Sequence, residues 1–242
     1  MSVNSLVMGR DVASLLQNWR SVASLIDHTL LSPAATSRDI ISLCAEAKRY
    51  AFYSVMVNPA WVTLAAAQVH GSPVKVGTVI GFPLGANLTV TKLAEAEAAA
   101  QNGAQELDMV INLGALKSGD RVLVQTEIRS LVKLAHAHGA ILKAIIETAL
   151  LSQEEKILAC ALAADAGVDF VKTSTGFAAS GATAADVALM RGVVGHDIGV
   201  KAAGGIRTAA QLCEMVEAGA NRIGASASVA IVRELSAPAD EL

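Results

Sequence analysis

The sequence predicts an α/β fold, a single (β/α)8 TIM barrel domain over residues 1–242 with a helical extension over about residues 1–24. Three observations carry this. Short β-branched or aliphatic runs alternate with alanine-rich amphipathic stretches from one end of the chain to the other. Eight such pairs follow one another at roughly 30 residues each, the size of a βα unit. No linker or shift in composition interrupts them, which favours a closed barrel. An open doubly wound sheet is the alternative, but no G-x-G-x-x-G follows the first strand to support it.

A helical pattern over about residues 11–24 leads into a first strand at 25–28. A helix at 37–50 and a strand at 54–57 follow, then a helix at 60–69 and a Val/Ile-rich strand at 74–80. The helix at 90–102 is rich in alanine and glutamate, both good helix formers. It ends at Gly103, before the strand at 106–110. The helix at 120–138 ends at Gly139, before a strand at 141–147. Ser152, with Glu155 three residues on, has the spacing of a capping box and opens a helix over 152–166. Gly167 closes that helix before the strand at 169–173. A helix at 182–193, a strand at 198–202, a helix at 208–218 with Gly219, a strand at 222–224 and a helix at 226–234 complete the series. The four glycines sit where a left-handed C-cap is needed. Strict alternation of this kind demands right-handed crossovers and a parallel sheet.

Composition narrows the function classes. With 53% hydrophobic and 17% charged residues and a net charge of −3, the chain reads as a compact domain with no basic run, so neither nucleic acid nor an anionic membrane is an expected partner. No apolar run approaches the roughly 20 residues of a membrane span. Cys44, Cys160 and Cys213 are far apart with no CxxC pair, arguing against a disulfide framework or a zinc cluster. No secretory signal is apparent, so a cytoplasmic location is expected. His, Asp and Glu show no metal-ligand spacing, and neither a metal nor another cofactor is called for.

Charges inside strand patterns are the unusual feature. Side chains alternate along a strand, so Lys172 in "FVKTS" opposes Val171, and Lys201 in "GVKAA" opposes Val200. Asp108 in "ELDMV" and Lys143 in "ILKAI" likewise oppose apolar neighbours. The outer face of a barrel packs under helices, so all four charges should point inward. Lys172 and Lys201 lie on neighbouring strands, about 4.8 Å apart. Two crowded, desolvated ammonium groups disfavour each other's protonation. A lysine that loses its proton attacks carbonyls and forms a Schiff base. Asp108 would hold the remaining charge and move protons through a water. A purely structural ion-pair network is the competing reading.

The loops after strands seven and eight, "AAGGIRT" and "GASAS", are where such barrels bind phosphate. Gly204 and Gly205 allow close backbone approach, and Gly224, Ala225 and Ser226 open the last helix, whose free N–H groups favour an anion. "TSTG" adds Thr175 and Gly176 at the same rim. His28, Asp27 and Thr29 end the first strand, also at the rim.

Eight segments in order, "LIDHTLL", "VMVNPAWV", "KVGTVIGFPLG", "GAQELDMVINLGAL", "LKAIIETALL", "DAGVDFVKTSTGF", "VKAAGGIRT" and "NRIGASAS", resemble the deoxyribose-phosphate aldolase family from Leu25 to about Arg233. The resemblance implies a metal-free class I aldolase, a lyase that reversibly cleaves 2-deoxy-D-ribose 5-phosphate to D-glyceraldehyde 3-phosphate and acetaldehyde. It implies Lys172 as the Schiff-base residue, Lys201 as the partner that lowers its pKa, and Asp108 as the proton-relay acid. It further implies substrate contacts by Asp27, Thr29, Thr175, Gly176, Gly204, Gly205, Gly224 and Ser226, and the inward-facing Lys143 is expected to join them. The partners implied are a small-molecule sugar phosphate and an aldehyde, and a homo-oligomer stays open.

Three positions depart from many relatives: Phe177 stands where some carry a phosphate-binding lysine, Met56 where many carry a cysteine, and residues 236–242 hold no tyrosine. Two other readings stay open: a Schiff-base aldolase for a different sugar phosphate, and a sugar-phosphate-binding barrel without chemistry.

Overall fold

The computed structural model describes residues 18–235. Eight parallel strands close into a barrel in sequence order. They are β1 Ile26–Leu30, β2 Ser54–Val57, β3 Lys75–Ile80, β4 Glu106–Val110, β5 Ile141–Ile145, β6 Phe170–Lys172, β7 Gly199–Ala203 and β8 Arg222–Ala225. Ten helices surround them among the described residues: α1 Trp19–Ala23, α2 Ser37–Tyr50, α3 Val62–Val69, α4 Thr89–Gln101, α5 Leu113–Lys117, α6 Arg121–Ala137, α7 Gln153–Ala166, α8 Ala184–Val194, α9 Ala209–Glu217 and α10 Ser228–Leu235. Of the expected N-terminal helix, Trp19 to Ala23 is helical; residues 1–17 and the tail 236–242 lie outside the described residues. No helix among the described residues is long and apolar enough to cross a membrane.

Alternation along the strands builds the core. Val55, Leu107, Leu142, Val171 and Val200 point outward and are wholly buried beneath the helices. The opposite faces fill the barrel. Phe170 fits there because its neighbour in register is Gly199, where a Cβ would lie 2.2 Å from the ring.

The helix signals act as the sequence indicates. Ser152 and Glu155 form the reciprocal cap, with Glu155 N–H on Ser152 Oγ at 3.2 Å and Ser152 N–H on Glu155 Oε2 at 2.8 Å. Gly103, Gly139, Gly167 and Gly219 all have positive φ.

Several boundaries differ from expectation by a residue or two, and three differences bear on the loops. The fifth strand stops at Ile145 rather than 147, because Glu147 turns left-handed (φ 51°, ψ 70°) into a 3-10 turn at Thr148–Leu150. The last helix starts at Ser228 rather than 226, since β8 runs on to Ala225. The short α5 has no strong periodicity of its own; Asn112 caps it by accepting from Ala115 N–H at 3.0 Å.

Candidate active site

Strand register decides which charges meet inside the barrel. Asp108 lies beside Lys143, Lys172 beside Lys201, and Lys201 beside Arg222. The side chains then close a ring. Asp108 Oδ1 holds Lys143 Nζ at 2.7 Å, and Lys143 reaches Glu106 Oε2 at 2.6 Å. Glu106 Oε2 accepts from Arg222 at 2.9 Å, and Arg222 donates to Asp27 Oδ1 at 2.9 Å. Asp27 Oδ2 meets Lys201 Nζ at 2.5 Å, and Lys201 returns to Asp108 Oδ2 at 2.8 Å. Ser54 also donates to Asp27 Oδ1 (2.7 Å), and the Arg222 guanidinium lies 3.5 Å over the Tyr53 ring.

Three carboxylates and three cations make this ring of six neutral. Burial opposes charging Asp27 and Asp108, yet the surrounding cations hold both carboxyls well below the usual carboxylate range. Burial likewise opposes charging Lys143 and Arg222, and the carboxylates beside them raise both. Buried ions this expensive to desolvate persist when their partners are complete.

Lys172 is the seventh charge, and the surplus one. Its Nζ donates to Asp108 Oδ2 at 2.9 Å, the same oxygen that Lys201 holds at 2.8 Å. The two nitrogens therefore lie within about 6 Å of each other, the range in which like charges shift a pKa. Burial is the first cause that depresses Lys172, to about 8 from 10.5; Asp108 opposes the shift and Lys201 adds to it. The sequence suggested crowding by Lys201 as the driving cause; the structure puts desolvation ahead of it.

A cavity of about 330 Å³ opens at the C-terminal ends of the strands. Among the ring members and Lys172, only Lys172 lines it. Its other walls come from residues 29–32 at the end of β1 and just past it, 175–177 after β6, 203–207 at the end of β7 and just past it, and 224–226 at the end of β8. Gly204 and Gly205 have φ of 87° and 80°, a left-handed pair open to glycine. Gly224 has a different reason: a Cβ there would lie 3.1 Å from Lys201 Cε and 3.0 Å from Ala203 Cβ. The wall at 224 must be bare for Lys201 to fit.

The expected site residues thus divide into two groups. Lys172, Thr29, Thr175, Gly176, Gly204, Gly205, Gly224 and Ser226 line the cavity. Lys201, Asp108, Asp27 and Lys143 are buried in the ring behind it. Met56 is buried with Leu31 and Val79 in a small apolar cluster and is not on the cavity wall. Phe177 is on that wall and packs edge-on against Phe82 at 5.3 Å.

Sequence reasoning missed Glu106, Arg222 and Arg207. The first two start strands β4 and β8 and share the inward face of Asp108 and Gly224, so alternation alone could have found them. Arg207 lines the cavity two residues past the glycine pair, where a cation beside an anion site was legible in "GGIRT".

Comparison with known proteins agrees with this geometry. The family model for DeoC/LacD family aldolases matches residues 21–234. The chain is 58% identical over 217 residues to the deoxyribose-phosphate aldolase of Thermococcus kodakarensis, covering 89% of this chain and 97% of that protein. It is 56% identical over 216 residues to that of Aciduliprofundum boonei, covering 89% and 97%. The tetrameric deoxyribose phosphate aldolase of Aeropyrum pernix matches in structure with a TM-score of 0.85 at 35% identity, over 93% of this chain and 97% of that one. The chain belongs to the DeoC/LacD family of aldolases.

Proposed function

We propose that this enzyme reversibly cleaves 2-deoxy-D-ribose 5-phosphate to D-glyceraldehyde 3-phosphate and acetaldehyde through an iminium on Lys172. The observation that carries the reading is the surplus amine. Lys172 is the one member of the charged cluster that reaches the cavity, and its pKa of about 8 leaves roughly a tenth of it neutral at pH 7. A neutral amine adds to the C1 aldehyde and loses water to form the iminium.

The iminium restores positive charge beside an already neutral ring. Acetaldehyde takes two carbons, so the bond that breaks is C2–C3. Its electron pair flows toward nitrogen, giving a neutral enamine and discharging the surplus. The C3 hydroxyl proton leaves through a water to Asp108, the carboxylate that touches Lys172. Asp108 is too acidic to keep that proton, so it relays it through water to C2 of the enamine, and hydrolysis of the resulting iminium releases acetaldehyde and frees Lys172. Lys201, held by Asp27 and Asp108, is the ring cation that shares an Asp108 oxygen with Lys172. The phosphate rests against Gly204, Gly205 and the turn at 224–226, with Arg207 at the rim.

Borohydride reduction in the presence of deoxyribose 5-phosphate tests the assignment. A stable mass increase on the peptide carrying Lys172 is expected. An adduct on another lysine, or none in an active preparation, overturns it. We also place the enzyme in the cytoplasm as a homo-oligomer. Three free cysteines and the tetrameric A. pernix relative support this, and light scattering reads the assembly.

A further inference from the structure

Two buried carboxylates stand outside both the ring and the cavity wall, and of these Glu127 is paired with Lys92 at 2.6 Å. Glu147 is 2% exposed, and no cation lies within ion-pair distance of it among the described residues. Its backbone is left-handed, with φ 51° and ψ 70°, a conformation that L-residues other than Asn and Asp rarely adopt. An unpaired buried carboxylate on a strained backbone is costly twice over, and such features persist where they serve a site.

The turn aims the side chain at the neighbouring loop. Ile146 N–H still donates to Lys172 O at 3.0 Å, and Thr148 N–H donates to Thr173 O at 2.9 Å. Between them Glu147 reaches over the segment after β6. Its Oε2 accepts the Thr175 N–H at 3.1 Å and also the Thr175 hydroxyl. Thr175 Oγ1 in turn accepts the Phe177 N–H at 3.1 Å. One carboxylate oxygen thus fixes both ends of a three-residue cavity wall. Gly176, in the middle, lines the cavity with φ 86°. It also lies against the glycine turn, since a Cβ on Gly204 would come 3.3 Å from Gly176 Cα.

We infer that Glu147 is a positioning residue: it locks Thr175 and, through it, Phe177, so that Gly176 is held against the Gly204 turn and the cavity favours a phosphorylated over an unphosphorylated sugar. The inference rests on the reading that this end of the cavity holds the phosphate. Glu147 does not touch the reacting atoms. Removing it should alter recognition of the phosphate end and leave the titration of Lys172 in place.

The test compares deoxyribose 5-phosphate with deoxyribose. Glu147→Gly removes the carboxylate while relieving the positive φ, so it keeps the fold; Glu147→Gln keeps the shape and weakens the acceptor. Hydrogen bonds to a charged group correspond to about a tenfold to hundredfold effect. The KM for the phosphate ester should rise by that factor in Glu147→Gly and by less in Glu147→Gln. The KM for deoxyribose should stay within about a factor of two, and the acid limb of the kcat profile should not move. Thr175→Val should also raise the KM for the phosphate ester, Thr175→Ser should recover most of that rise, and Glu147→Gly with Thr175→Val should raise it no further than the larger single effect. Equal KM increases for both sugars, or additive losses in the double variant, overturn the inference. A wild-type chain that cleaves neither sugar refutes the reaction itself and the inference with it. A wild type that cleaves both, with variants of unchanged preference, refutes the inference alone.

Discussion

Replacing Lys201 by methionine isolates the electrostatic argument. Lys201 and Lys172 share one oxygen of Asp108, at 2.8 and 2.9 Å. A unit charge roughly 5 Å away, at an effective dielectric constant near 20, contributes roughly 3 kcal/mol, or about 2 pKa units. Without it, Asp108 and Asp27 also lose a cation, which pulls Lys172 in the same direction. The Lys172 amine should therefore move from about 8 toward its ordinary range, near about 10. At pH 7 its neutral fraction falls from about a tenth to about a thousandth, so turnover should drop about a hundredfold. The deficit should shrink as pH rises, because the wild-type amine is nearly all neutral above about pH 9 while the variant's is still only about half neutral near pH 10. The assay is kcat for deoxyribose 5-phosphate cleavage from pH 6 to pH 10.5, beside the pH dependence of borohydride trapping. A deficit of equal size at every pH, with the acid limb unmoved, refutes charge coupling between the two lysines.

Lys172→Met should be more stable than wild type at pH 7, by about 1–3 kcal/mol, since it removes an amine that burial holds below its ordinary pKa. The unfolded chain binds the extra proton between pH 8 and 10.5, so wild-type stability rises over that window and the gap should narrow; urea unfolding at pH 7 and 10.5 reads it, and a constant gap counts against it. Glu106→Gln removes one negative charge from the ring, so the Lys172 limb should move acidward while stability falls by about 3–5 kcal/mol. Adding Arg222→Met restores the charge balance and should return the limb toward wild type, as trapping profiles would show. Gly224→Ala places a Cβ 3.1 Å from Lys201 Cε, so Lys201 must shift and the kcat limb should move alkaline; an unmoved limb would mean that Lys201 has room to spare.

The barrel was legible because each level of the sequence agreed with the next. Strand alternation, the box at Ser152 and Glu155 and the closing glycines all pointed to repeated βα units, and the closed sheet follows. The errors fell where local pattern loses to tertiary context. "ILKAIIE" reads as one long strand, yet the chain turns at Glu147 because its carboxylate is drawn to Thr175. Nothing in a one-dimensional pattern records that pull. Helix α10 begins late because Ser228, not Ser226, is buried between Ala225 O and His28 Nδ1 at 2.8 and 3.0 Å.

The chemistry was legible to a different depth. Alternation on β4 to β7 brought Asp108, Lys143, Lys172 and Lys201 inside, but it gave three lysines against one acid. That imbalance would leave two amines without partners, and either could have been the nucleophile. Register supplies what the count lacked. Asp27, Glu106 and Arg222 come from β1, β4 and β8, and only closure of the barrel brings the first and last strands together. Once they are counted, Lys143 and Lys201 each hold two carboxylates, whereas Lys172 holds one shared oxygen. On the proposed mechanism, the nucleophile is chosen by parity. A neutral ring of six makes the seventh charge the cheapest to lose, and the lysine that carries it is the one facing the cavity. The ion-pair network and the reactive amine, which the sequence set against each other as rival explanations, are one arrangement in which the first creates the second.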